Sequence, residues 1–155
     1  MKETRLLMGM PITVEVVGGE RATQAIDDVF NYFHRIDEQF STYKESSEIS
    51  RINRDELTEA EWSEDIRLVF ALCEQTNRET NGYFDIRARN GLLDPSGLVK
   101  GWAIRRAAEL LDKQGWKNFF VDAGGDIQAR GKNERNEPWR VGIQNPFNTR
   151  EIIKI

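Results

Sequence analysis

The order of patterns along this 155-residue chain predicts an α+β fold, a mostly antiparallel sheet with helices packed on one face. Three observations carry the prediction. Positions 12–17 alternate apolar and polar residues, as a strand with one buried face does. Apolar residues at 22, 25, 26, 29, 30, 33, 36 and 40 form the stripe of a long amphipathic helix lying on a sheet. After residue 117, short strand-like runs dominate, at 118–122, 127–130, 139–143 and 151–155.

Each element follows in order. The segment 6–11 leads into the first strand, which ends at Gly18 and Gly19. The helix 22–40 is broken by Ser41, Thr42 and Tyr43, and 46–53 reads as a short helix after a loop. A further helix starts near Ser63, with Glu64 and Asp65 suited to the positive end of its dipole, and stops before Gly82. Another begins near Gly97 and runs to Gly115, with Trp102, Ala103, Ala107, Leu110 and Leu111 on its apolar face. The polar stretch 131–138 reads as a hairpin connection. The run 151–155 looks like a strand without a closing turn, and an incomplete sheet edge of this kind favours dimerisation.

Length and composition fit one domain, 1–155, which buries roughly 70% of its unfolded surface. Charged residues make up 31% at a formal net charge of -4, and the signs are interspersed, so no electrostatic ground for binding nucleic acid exists. No apolar run approaches the ~20 residues that span a bilayer. Without a signal-peptide layout the chain as given reads as cytoplasmic; an exported protein whose signal has been removed gives the same sequence. Cys73 and His34, the one cysteine and the one histidine, both lie in helical patterns and cannot form a His/Cys zinc site. A metal held here is therefore hard and oxygen-ligated, which favours magnesium over zinc.

The most informative run is Val121-Asp122-Ala123-Gly124-Gly125-Asp126-Ile127, a buried strand entering two glycines and a carboxylate. Adjacent glycines permit positive φ and close approach to a ligand, and exposed amides in such a turn form an anion cradle. The bland alternative is a tight turn with Asp126 bonding it locally. A second glycine-bearing segment, Asp94-Pro95-Ser96-Gly97-Leu98-Val99-Lys100-Gly101, opens a helix. Together the two loops predict a site for a phosphorylated ligand.

Six segments then occur in order. They are Met8-Gly9-Met10, Phe40 to Tyr43 with Ser50-Arg51-Ile52-Asn53, Thr80 to Asp85, Asp94 to Ala103, Val121 to Ile127, and Trp139 to Pro146. This series resembles the ApbE family of flavin transferases, the FAD:protein FMN transferases. The resemblance implies a T-fold-like domain that takes FAD as substrate and uses Mg2+. It implies transfer of FMN to a threonine or serine hydroxyl of an acceptor protein, with release of AMP. Alternatives are FAD pyrophosphatase activity, giving FMN and AMP, and a flavin-binding fragment without catalysis. Either reaction is attack on a pyrophosphate phosphorus, which needs in-line positioning and charge neutralisation.

By the same resemblance, Met8 and Tyr43 contact flavin, and Tyr83, Phe84 and Asp85 line the adenine and ribose end. Asp94 and Lys100 are further FAD contacts, Gly124, Gly125 and Asp126 close beside the ligand, and the Gly97 carbonyl helps to hold magnesium. The residues themselves leave plainer roles open: Tyr43 as packing, Asp85 and Asp126 as turn residues, Lys100 as a solvated cation. The general base is not identified. Two departures stand out. The segment between Asp85 and Asp94 is short where relatives carry an insertion, and nothing after Pro146 matches the family's C-terminal portion, with its Asp and Thr side chains for magnesium. The chain thus reads as the N-terminal portion of such an enzyme.

Overall fold

The computed structural model describes residues 1–88 and 90–153, with the backbone alone described at 149 and 150. Its strands are β1 (Lys2–Leu7), β2 (Met10–Val16), β3 (Phe119–Ala123), β4 (Asp126–Arg130), β5 (Ile143–Asn145) and β6 (Asn148–Ile153). Between β2 and β3 lie the helices α1 (Ala22–Phe40), α2 (Glu48–Asn53), α3 (Glu64–Glu79) and α4 (Ser96–Lys113). The main sheet has the order β1-β2-β3-β4 with every neighbour antiparallel, and β5 and β6 form a separate two-stranded sheet.

Alternation in β2 and β3 decides which face is covered. Ile12 stands opposite Ala123, Val14 opposite Val121 and Val16 opposite Phe119. All six are buried, and they share one core with Ile26, Val29, Phe30 and Phe33 of α1 and Ala103, Ala107 and Leu111 of α4. The apolar stripe of α1 is buried at each of the positions the periodicity singled out. Ser63 starts α3 as expected: its Oγ accepts from the Ile66 amide at 3.2 Å. The sheet's other face carries Thr13, Glu15, Phe120 and Asp122, which are half-buried.

Three local readings need correction. The segment before β2 is itself a strand, β1, with exposed residues at Lys2, Thr4 and Leu6. Residues 139–142 are not strand. There the Trp139 indole N–H donates to the Arg130 carbonyl at 2.8 Å, and its ring lies 5.6 Å from that of Phe120. The segment thus serves as a partial cover for the outer face. The last strand spans Asn148–Ile153 rather than 151–155, and residues 154 and 155 lie outside the described residues.

What positions the site is a coincidence of two hairpin turns. β1 and β2 are joined by Met8 and Gly9, β3 and β4 by Gly124 and Gly125. Both pairs have positive φ at both residues (52° and 72°; 56° and 92°), the condition of a type I′ turn. Because β2 begins where β3 ends, both turns lie at the same end of the sheet. Among the described residues no helix is long and apolar enough to cross a membrane.

Candidate flavin site

At that end of the sheet a cleft of about 460 Å³ opens between the Met8–Gly9 turn, the end of α1 with its following loop, and the first turns of α4. Met8, Met10, Phe40 and Val99 give it an apolar floor, and the Phe40 ring meets Trp102 edge-on at 5.8 Å. Ser41, Thr42, Tyr43, Lys44, Ser96 and Lys100 supply the polar rim. Tyr43 is 97% exposed, so it is available to a ligand rather than spent on packing. Met8 is a non-glycine residue at positive φ, a costly conformation, and it lines the cleft.

Lys100 links the two glycine segments. Its Nζ lies 3.0 Å from an Asp126 carboxylate oxygen and donates to the Gly124 carbonyl at 3.3 Å. Lys44 on the facing wall is held between Asp37 (2.6 Å) and Glu38 (2.5 Å), which raise its pKa above the usual lysine value by hydrogen bonding. A Cβ built on Gly124 would meet Met10 Sδ at 3.1 Å and Lys100 Nζ at 3.5 Å, whereas one on Gly125 meets no protein atom within 4 Å. Crowding against the protein therefore belongs to Gly124, and the space over Gly125 is open.

The anion cradle expected at this turn is not formed. The Gly124 amide donates to the Pro11 carbonyl at 3.1 Å and the Gly125 amide to Asp122 Oδ1 at 2.8 Å, so both donors are already engaged. The tight-turn reading describes these glycines; the nearest positive groups are Lys100, itself paired with Asp126, and the N-terminus of α4. There Asp94 Oδ1 accepts from the Ser96 amide at 3.0 Å, and the Pro95 carbonyl accepts from Leu98 and Val99.

The remaining predicted residues are distributed around this centre. Asp94 lines an adjoining recess of about 340 Å³ with Thr42, Ser50, Asn53, Arg54 and Asn90, and Thr42 is common to both spaces. Phe84 lies against the start of α4, since a Cβ on Gly97 would stand 3.3 Å from its ring. Tyr83 is 95% exposed, and Asp85 bonds its own turn through the Arg87 amide at 2.9 Å. These three line neither space. Of the lining residues, only Met8, Tyr43 and Lys100 were expected; Met10, Phe40, Thr42, Lys44 and Ser96 are among those missed, although Met10 closes the Met-Gly-Met run and offered that signal.

For magnesium the described residues alone do not suffice. The Gly97 carbonyl sits in the first turn of α4, where the helical ladder takes one of its two lone pairs. Among the described residues no group of three or more His, Cys, Asp or Glu side chains is placed to hold a metal. His34 is exposed on α1. Cys73 is buried, and burial pushes its thiol up to about 11. We expect it to resist an aromatic disulfide reagent at mildly alkaline pH in the native protein and to react fully once unfolded; ready reaction of the folded protein would refute the buried placement.

A model of the ApbE family matches residues 8–91 and 87–155. The chain belongs to the ApbE family. Among curated relatives, the FAD:protein FMN transferase of Haemophilus influenzae is 37% identical over 59 residues, which is 38% of this chain and 17% of that protein. That of Vibrio cholerae is 39% identical over 54 residues, 35% of this chain and 16% of its own length. The flavin transferase ApbE from Vibrio cholerae superposes with a TM-score of 0.82 at 21% identity, covering 94% of this chain and 64% of that one. The apo form of the Pseudomonas stutzeri flavinyl transferase ApbE gives 0.81 at 18% identity, covering 100% and 65%. The α+β architecture is thus that of ApbE proteins, over rather less than two thirds of the length of these two solved chains.

Proposed function

We propose that this chain handles FAD in a magnesium-dependent FMN transfer to a threonine or serine hydroxyl of an acceptor protein. The observation that carries the reading is the cleft itself. An apolar floor with an exposed tyrosine at its rim suits a flavin ring, and Lys100 at the Gly124 turn suits the diphosphate. In the reaction the acceptor hydroxyl oxygen bonds to the FMN phosphorus, the bond from that phosphorus to the AMP oxygen breaks, and the hydroxyl loses its proton to a base. Met8 and Tyr43 would orient the flavin, and Asp94 in the adjoining recess would meet the nucleotide end.

Charge supports the magnesium requirement. The carboxylates paired with the two cleft lysines, Asp37, Glu38 and Asp126, outnumber them, so a diphosphate entering here needs a further cation. As the described residues offer no carboxylate cluster, the ion would draw on water and phosphate oxygens. Titrating magnesium into the FAD-free protein should therefore give no saturable binding heat; a tight one-to-one isotherm would contradict this.

The direct test is AMP release from FAD with magnesium, with and without a threonine-bearing acceptor peptide. Acceptor-dependent release supports the transferase. Release that ignores the acceptor would replace it with the pyrophosphatase, in which water takes the place of the hydroxyl. FAD binding without any release would mean that catalysis requires a further portion beyond this chain or has been lost, leaving a flavin-binding module.

A further inference from the structure

The six-residue helix α2 touches the site at both of its ends. At its start, Ser47 is fully buried, and its Oγ donates to the Ser41 carbonyl at 2.6 Å while accepting from the Ser50 amide at 3.1 Å. The Ser50 hydroxyl donates to the same carbonyl at 3.4 Å. Ser41 begins the loop that presents Thr42 and Tyr43. At its end, the Asn53 side chain makes a two-point clamp on one distant residue: Oδ1 accepts from the Leu93 amide at 2.8 Å and Nδ2 donates to the Leu93 carbonyl at 2.9 Å. Leu93 precedes Asp94, whose own amide donates to the Ile86 carbonyl at 2.7 Å and whose carboxylate caps the start of α4.

A helix this short has no stability of its own and is held by Ile49 and Ile52, both buried. Ser47 caps the helix itself through the Ser50 amide, and the other polar bonds at its two ends reach the two sides of the recess. Thr42 stands on one wall, Leu93 and Asp94 on the other, and Ser50 and Asn53 between them. We propose that α2 is a spacer that fixes the separation of the Tyr43 loop and the Asp94–Lys100 wall, with Asn53 and Ser47 as its positioning residues. Neither acts on substrate chemically. Asn53 makes with one backbone residue the pair of bonds that a neighbouring strand makes, and so holds Asp94 and the first turn of α4 in register with the flavin cleft.

This inference rests on the flavin reading above, and the test separates the two. Asn53→Ala and Ser47→Ala are compared with the unaltered chain by hydrogen exchange over residues 90–98 and 41–46, and by FAD affinity from fluorescence quenching well below the unfolding midpoint. A variant that merely loses stability is still folded there and binds as the unaltered chain does. The expected result is faster exchange confined to the wall that each substitution releases, with FAD binding weakened about tenfold, a change equal to the loss of one good hydrogen bond. Unchanged exchange, or faster exchange with unchanged affinity, overturns the spacer role. Should Asn53→Ala fail to fold, Asn53→Asp keeps the bond from the Leu93 amide, sets a carboxylate oxygen against the Leu93 carbonyl in place of the donor, and reads the same quantities. If the unaltered chain binds no FAD, the flavin reading fails first, and the spacer falls with it.

Discussion

Lys100→Ala is expected to weaken FAD binding while leaving the unfolding midpoint almost where it was. In the ligand-free protein the ammonium pairs with Asp126, whose side chain is 61% exposed, and such a pair contributes no more than about 1 kcal/mol to folding. Facing a diphosphate in a partly dehydrated cleft, the same group makes a charge-assisted bond of about 1.5–3 kcal/mol, or roughly 10- to 100-fold in affinity. Lys44 cannot compensate, because two carboxylates already hold it. Lys100→Arg should recover part of the loss, as charge is retained though the fork is bulkier. Unaltered affinity in Lys100→Ala would remove the phosphate role from this lysine and leave it a surface ion pair.

The two glycines of the neighbouring turn should separate under the same substitution. At Gly125, φ is 92° and no protein atom is within 4 Å of an added Cβ, so Gly125→Val meets backbone strain alone, about 1–3 kcal/mol. Urea titration should show that loss, with FAD affinity of the folded fraction changed little. Gly124→Val carries comparable strain and in addition drives its Cβ toward Met10 Sδ at 3.1 Å and Lys100 Nζ at 3.5 Å, both part of the cleft wall. It should lose stability and at least tenfold in affinity. Equal effects of the two substitutions on affinity would mean that the turn acts through its backbone and not through what it touches.

Periodicity was enough for the helices and the central strands. The stripe of α1 is long and unbroken, and Ile12, Val14 and Val16 alternate without exception. Elsewhere the deciding facts are tertiary. β1 sits at a sheet edge, where Lys2, Thr4 and the 80% exposed Leu6 need no pattern. The run 139–143 has a strand's composition, yet Trp139 is used to cover Phe120, which no local rule anticipates. At the site, the residue types at the two glycine segments pointed to an anionic ligand, but the family resemblance alone named Met8 and Tyr43 as partners. Whether the turn amides were free depended on Pro11 and Asp122. Asn53 stands in a segment that drew notice, but its partner lies forty residues on, beyond the reach of any local pattern.

The sheet's central pairing sets Ile12 opposite Ala123, with all four helices in between. Local hairpins and helices form within microseconds, but β2 can meet β3 only by closing a loop that contains most of the chain, the step with the highest entropic cost. On a ribosome the β1–β2 hairpin therefore emerges early and waits with one edge of β2 unpaired, a template for wrong partners until β3 arrives. Met8 and Tyr43 are made first, Lys100 next, and Gly124 and Asp126 last. Since FAD would recognise only the joined arrangement, flavin available during synthesis would pull that final closure forward by mass action and shorten the interval of exposure.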